Sequence, residues 1–221
     1  MRNISGFMNR QHLSALAGMI GPVLFVGIFT IEGWLRSNYH SQEMYVSALS
    51  LGPRGWIQIS NFVIFGILYL LFTRGVAVEF NDGKASKAGP LLFTISAICF
   101  LFSGPFVMDP MDTIQSQMSL HGMLHGIFGG IVFSLMPVIC FVFLRRFRSD
   151  PKWRSLQWWT LGVGLIISVA VILLTIVTKL PEVRDSFKGW LGLIQRTTII
   201  PYMIWLYIFA LGLYKRDKLS L

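Results

Sequence analysis

Asp109, Asp112, His121 and His125 put two carboxylates and two imidazoles into one short connection of an otherwise apolar chain. Ionisable groups near membrane depth are costly and so concentrate where a site needs them. Histidines at i and i+4 on a helix present two nitrogens to one point, and a carboxylate completes a set suited to zinc. On that reading His121, His125 and Asp109 are metal ligands, a bound water is the nucleophile, and Asp112 or Glu32 accepts its proton. Gly122 occupies the position that a H-E-x-x-H motif gives to glutamate, so no metalloprotease base is supplied in line. Two other readings stand beside it. In one, Asp109 or Asp112 caps a short interfacial helix while the histidines hydrogen-bond locally; in the other, the same groups bind a ligand without metal. Haem is disfavoured, because bis-histidine ligation needs imidazoles facing each other across a bundle, whereas His121 and His125 share one helix face.

Further polar residues lie at comparable depth. Glu32 and Arg196 each need a partner if buried, and their depth allows a pair with each other, or each snorkels to the headgroups. Gln58 and Asn61, three residues apart on one helix face, join Arg196, Tyr45 and Ser47 as candidate binding residues. Thr197 and Thr198 extend the network. The expectation is that Glu32, Gln58, Asn61, Asp109, Asp112, His121, His125 and Arg196 converge on one outward-facing cavity.

Hydropathy defines the elements that position them. Hydrophobic residues make up 54% of the 221 and charged residues 13%, so a bilayer is the expected solvent. Six apolar runs occur near residues 12–34, 56–78, 90–108, 121–144, 158–177 and 190–214. Their connections leave no room for a separate soluble domain, so the expected fold is a single all-α bundle of six transmembrane helices. The first run exceeds a signal peptide's apolar core and lacks a cleavage pattern, so it is expected to be retained.

The net charge of +9 is distributed as a topology signal, not as a nucleic-acid footprint. Arg2, Arg10, Arg74, Lys84, Lys87, Arg145, Arg146, Arg148, Lys152, Arg154, Lys215, Arg216 and Lys218 fall on one side. Arg36, Arg54, Lys179, Arg184, Lys188 and Arg196 fall on the other. Both termini are therefore expected to be cytoplasmic, with the Asp109–His125 segment outward. Trp34, Trp56, Trp153, Trp158 and Trp190 sit at run ends, as an aromatic belt would place them.

Gly122, Gly126 and Gly130 form a small-residue ladder that favours close helix approach, and Pro22, Pro105, Pro137 and Pro201 each interrupt a run. Cys99 and Cys140 lie inside runs and read as buried apolar cysteines. The fifth run is almost wholly apolar, which argues against a conducting pore, and no internal repeat supports an inverted-repeat transporter.

Gly21-Pro22, Tyr39, Ser47-Ala48-Leu49-Ser50-Leu51-Gly52-Pro53, Trp56-Ile57-Gln58, Asn61-Phe62, Asp109-Pro110, His121-Gly122, His125 and Gly192-Leu193-Ile194-Gln195-Arg196 together resemble an uncharacterised prokaryotic membrane family, domain of unknown function 998. The resemblance runs from about residue 12 to 215 and implies a six-helix membrane fold; it carries over no activity. The outward Asp and His residues are also similar in type to those of membrane hydrolases that hold zinc between helices. Two functions of different class follow: a non-catalytic membrane protein binding a lipid or partner through its polar pocket, and a metal-assisted hydrolase acting on a lipid or lipid-linked substrate.

Overall fold

The computed structural model describes residues 4–219, with side chains from 11 to 216 apart from Pro181. Arg2 lies outside the described residues, as do the side chains of Arg10 and Lys218. The chain folds into α1 (Ile4–Leu35), α2 (Gly55–Glu79), α3 (Ala88–Phe102), α4 (Leu120–Ser149), α5 (Gln157–Lys179), a short α6 (Pro181–Phe187) and α7 (Leu191–Leu219). Among the described residues there is no β-strand. α1 packs on α2, α2 on α3, α3 on α4, α4 on α5, α5 on α7, and α7 returns to α1. The six long elements thus close a ring whose neighbours run antiparallel. One end of the ring, here the loop end, gathers the C-termini of α1, α3 and α5 with the N-termini of α2, α4 and α7.

The ring is filled, not hollow. Phe93 stacks on Phe143 at 5.1 Å between centroids, and Phe72 meets Phe209 edge-on at 5.6 Å. The buried hydroxyls of Tyr69 and Tyr202 share a hydrogen bond of 2.5 Å, and the Trp205 indole donates to Thr160 Oγ1 at 2.9 Å. Aromatic side chains bring large apolar area together with specific edge and stacking contacts, and the two polar tips are paired as burial requires. Cys99 and Cys140 are buried free thiols, as expected.

Among the described residues five helical segments, those containing α1, α2, α4, α5 and α7, are long and apolar enough to cross a membrane. α3 is shorter than the third run suggested, with 15 residues instead of a span reaching residue 108. At 1.5 Å per residue it covers about 22 Å, less than the ~30 Å of a hydrocarbon core. Its end is chemical: the Ser103 hydroxyl donates back to the Cys99 carbonyl at 2.8 Å, and Gly104-Pro105 cannot continue the helix. Pro22, Pro137 and Pro201 lie within continuous helices, so of the four prolines expected to interrupt runs only Pro105 falls at a helix end.

Two packing expectations need correction. Gly126 and Gly130 are exposed, and an added Cβ would find no atom within 4 Å, so the α4 ladder does not line a helix contact. Close approach occurs at Gly66, where a Cβ would lie 2.6 Å from that of Leu101. Trp34, Trp56, Trp158 and Trp190 are exposed near helix ends, but Trp153 is fully buried between Phe80, Phe147 and Phe209.

Candidate functional site

The segment between α1 and α2 is a built cap over the loop end. Glu32, in the last turn of α1, is 3% exposed and accepts from two guanidinium groups. Arg36 Nε donates to Oε1 at 2.7 Å; Arg54 donates through Nε and Nη2 at 2.8 and 2.6 Å. The Arg36 spacing is the i,i+4 relation that places two side chains on one helix face. Arg36 also donates to the carbonyls of Leu51 and Leu49 at 3.0 and 2.8 Å, tying the far limb of the cap to α1. Gly52 turns the chain with φ 74, a backbone region that suits glycine. The Glu32 carboxylate holds the Arg54 guanidinium further above its ordinary range.

α7 fastens the other limb. Arg196 Nη1 donates to the carbonyls of Ser41, Met44 and Gly192 at 2.6, 3.0 and 3.0 Å, and Nη2 donates to the Tyr39 hydroxyl at 2.5 Å. Gln195 Oε1 accepts from the Val46 amide at 2.7 Å, and Gly192 lies directly against the carbonyls of Met44 and Ser41, leaving no space for a side chain. Burial pushes the Tyr39 phenol up, against the opposing pull of Arg196 and Arg36; Tyr45 is pushed up the same way. The Glu32–Arg196 pair that their shared depth allowed is therefore not formed. Glu32 is neutralised by Arg36 and Arg54, and among the described residues Arg196 has no carboxylate within 4 Å.

Beneath the cap lies a cavity of about 30 Å³, lined among others by Val46, Ser47, Phe62, Ser103, His125 and Gln195. That volume admits a water or two, not a substrate. His125 enters from α4 with Nδ1 2.7 Å from the Phe106 carbonyl and 3.1 Å from that of Ser103. Both partners are acceptors only, so Nδ1 carries the proton and Nε2 the lone pair. Gln58 and Asn61 are buried beside this cavity's wall. Asn61 donates to the Phe25 carbonyl at 3.1 Å and to Gln58 Oε1 at 3.2 Å, while among the described residues Gln58 Nε2 has no hydrogen-bond partner.

The acidic residues of the long connection stand apart from it. Asp109 Oδ2 accepts from the Ser119 amide at 2.8 Å, and Ser119 Oγ in turn accepts from the Gly122 amide at 3.0 Å as the N-cap of α4. A carboxylate there complements the helix dipole and satisfies otherwise orphaned amides. Asp109 presses on Gly122, where a Cβ would collide with its carboxylate. Asp112 and His121 are exposed; the His121 ring lies 5.4 Å from that of Phe106. α6 closes the connection through a hydrogen bond from Arg184 to the Met111 carbonyl.

Of the residues expected to converge, His125 lines the cavity, with Gln58 and Asn61 behind it, and the candidate binding residue Ser47 lines it too. Glu32 and Arg196 hold the cap, Asp109 braces the Ser119 N-cap of α4, and Asp112 and His121 are exposed; the candidate binding residue Tyr45 packs on the small α5–α7 apolar cluster. Among the described residues no three His, Cys, Asp or Glu side chains come together as metal ligands, so His121, His125 and Asp109 do not form one set. Arg36, Arg54, Ser103 and Gln195 were missed. The i,i+4 spacing of Glu32 and Arg36 was the available signal for the first; the other three act across elements.

Residues 19–212 match the family described as "Protein of unknown function (DUF998)". No curated protein and no solved structure matches the chain. With nearly its full length covered, the chain belongs to this family of unknown function.

Proposed function

We propose that this chain is a six-span protein of the prokaryotic cytoplasmic membrane, both termini inside, that binds the anionic headgroup of a lipid or lipid-linked ligand at its outward end. The observation that carries the reading is the charge balance of the cap. Three guanidinium groups, Arg36, Arg54 and Arg196, are held at the cap, where among the described residues Glu32 is the one carboxylate that pairs with any of them and the exposed Glu43 leaves the balance positive. An uncompensated cation at membrane depth favours an anion. Arg196 keeps N–H groups beyond those already engaged, and the Arg54 side chain is 52% exposed beside the cap. The pinned carbonyls and amides fix these donors before any ligand arrives, which lowers the ordering cost of binding.

Metal-assisted hydrolysis is supported less well, because Asp109 and His125 are each engaged with backbone groups and His121 is exposed beside Phe106. The test is lipid binding by the purified protein, read by native mass spectrometry with a phosphate-bearing lipid photoprobe supplied from the outward face. Arg54→Gln is expected to weaken capture severalfold with the fold intact, and Arg196→Gln more so. Unchanged capture in Arg54→Gln and Arg196→Gln would overturn the headgroup reading. Stoichiometric zinc in the wild type, lost on joint His121→Ala and His125→Ala substitution, would restore the hydrolase.

A further inference from the structure

We propose a second, independent ligand site at the opposite end of the ring: a groove that takes an anionic phospholipid from the leaflet lying against the termini. The groove measures about 780 Å³ and is bordered by the first turns of α1, the end of α2, the α4–α5 connection and the last turns of α7. That is the volume range of sites that enclose a small molecule. Its polar rim carries Lys152, Lys215 and Arg216, and its floor carries Leu156, Ile208 and Leu211.

The acid of the groove does not neutralise that rim. Glu79 Oε1 accepts from the Trp153 indole at 3.1 Å, and Oε2 accepts from Gln11 Nε2 at 3.4 Å. Among the described residues, none of the three cations has a carboxylate within 4 Å. Arg216 is nevertheless positioned. Its guanidinium lies 3.9 Å over the buried Trp153 ring and donates to the Lys152 carbonyl. A planar cation stacked on a fixed aromatic is pre-oriented for phosphate. Three cations, with Glu79 engaged by Trp153 and Gln11 and with Asp150 the other described acid acting on Arg216, set where α2 ends and α7 leaves the apolar zone, complement a phosphodiester. Ile208 and Leu211 continue down α7, where an acyl chain would lie. Basic pockets between helices at a membrane boundary recognise anionic headgroups in this way. A soluble anion would use the rim but not the apolar floor.

The experiment compares retention of phosphatidylglycerol and phosphatidylcholine with identical acyl chains, read by native mass spectrometry of the purified full chain. The wild type is expected to retain phosphatidylglycerol preferentially. The exposed substitution Lys152→Ala joined to Lys215→Ala should reduce that retention by about fivefold per lysine removed. Raising ionic strength should weaken it in the wild type, a readout that needs no variant. Equal retention of the two lipids, no loss in the double variant, or full displacement by inorganic phosphate would each overturn the proposal. The loss caused by the lysine pair should persist in an Arg54→Gln background, where the outward headgroup site is already weakened, so failure here and failure of the outward reading give different results.

Discussion

Glu32 shows how a buried charge is made tolerable and which partner does it. Removing one member of such a group leaves the others uncompensated, which costs more than the net worth of the contact. Glu32→Gln is therefore expected to lower stability by about 1–3 kcal/mol, measured by thermal unfolding in detergent. The partner assignment is checked by double-mutant cycles. Glu32 and Arg36 should couple by more than about 0.5 kcal/mol, while Glu32 and Arg196 should add independently within that margin. Equal coupling in both cycles would return Arg196 to the role of counter-ion. Depth along the sequence correctly marked Glu32 and Arg196 as residues needing partners, and it placed His125 and Ser47 at one end of the bundle. It said nothing about which groups meet, because two residues at one depth on different helices differ by a rotation that hydropathy does not encode. The carbonyls that hold His125 and Arg196 are invisible for a further reason: they belong to backbone, and any residue type supplies them.

α4 separates two meanings of glycine that one spacing conceals. Gly122 abuts the Asp109 carboxylate that caps the helix, whereas Gly130, two turns on, faces open space. Gly122→Ala is expected to destabilise by about 1–3 kcal/mol, because the cap must shift to admit a methyl group. Gly130→Ala should be neutral or stabilising by up to about 1 kcal/mol, since alanine is the better helix former and meets nothing. Thermal unfolding of the two single variants decides the matter; a loss at Gly130 equal to that at Gly122 would mean that a neighbour packs on the exposed ladder. Helix positions were legible because 20-residue apolar runs have few other uses. Helix ends were less so: Phe106, Val107 and Met108 prolong the hydropathy of α3 although Ser103, Gly104 and Pro105 have already ended the helix. The little α6 and the turn over Val46–Ser50 escaped because neither is long enough to show a period.

The closed ring makes topology a question about α3. Its 15 residues are fewer than a full span needs, yet it packs between α2 and α4 like any other member, and the bilayer can thin locally around a short segment. The charge pattern supports the same placement. The cations of the loop end are Arg36, Arg54 and Arg196, engaged at the cap, with Lys179, Arg184 and Lys188 in the α5–α7 connection, while the other Lys and Arg residues crowd the end that carries both termini. Reporter fusions after Asp112 and after Arg148 test orientation and span number together. With six spans and cytoplasmic termini, a reporter active only outside the cytoplasm works after Asp112 and is silent after Arg148. If α3 stayed in one leaflet without crossing, the two results would exchange, because α4 would then carry the chain outward. If α3 crossed but the termini lay outside, the same exchange would occur. A third fusion after Lys84 separates these cases: silent if only α3 fails to cross, active if the whole bundle is inverted. The expected pattern is silent, active, silent along the chain, and it is the one arrangement that puts Arg196 and the cap where an outer-leaflet headgroup can reach them.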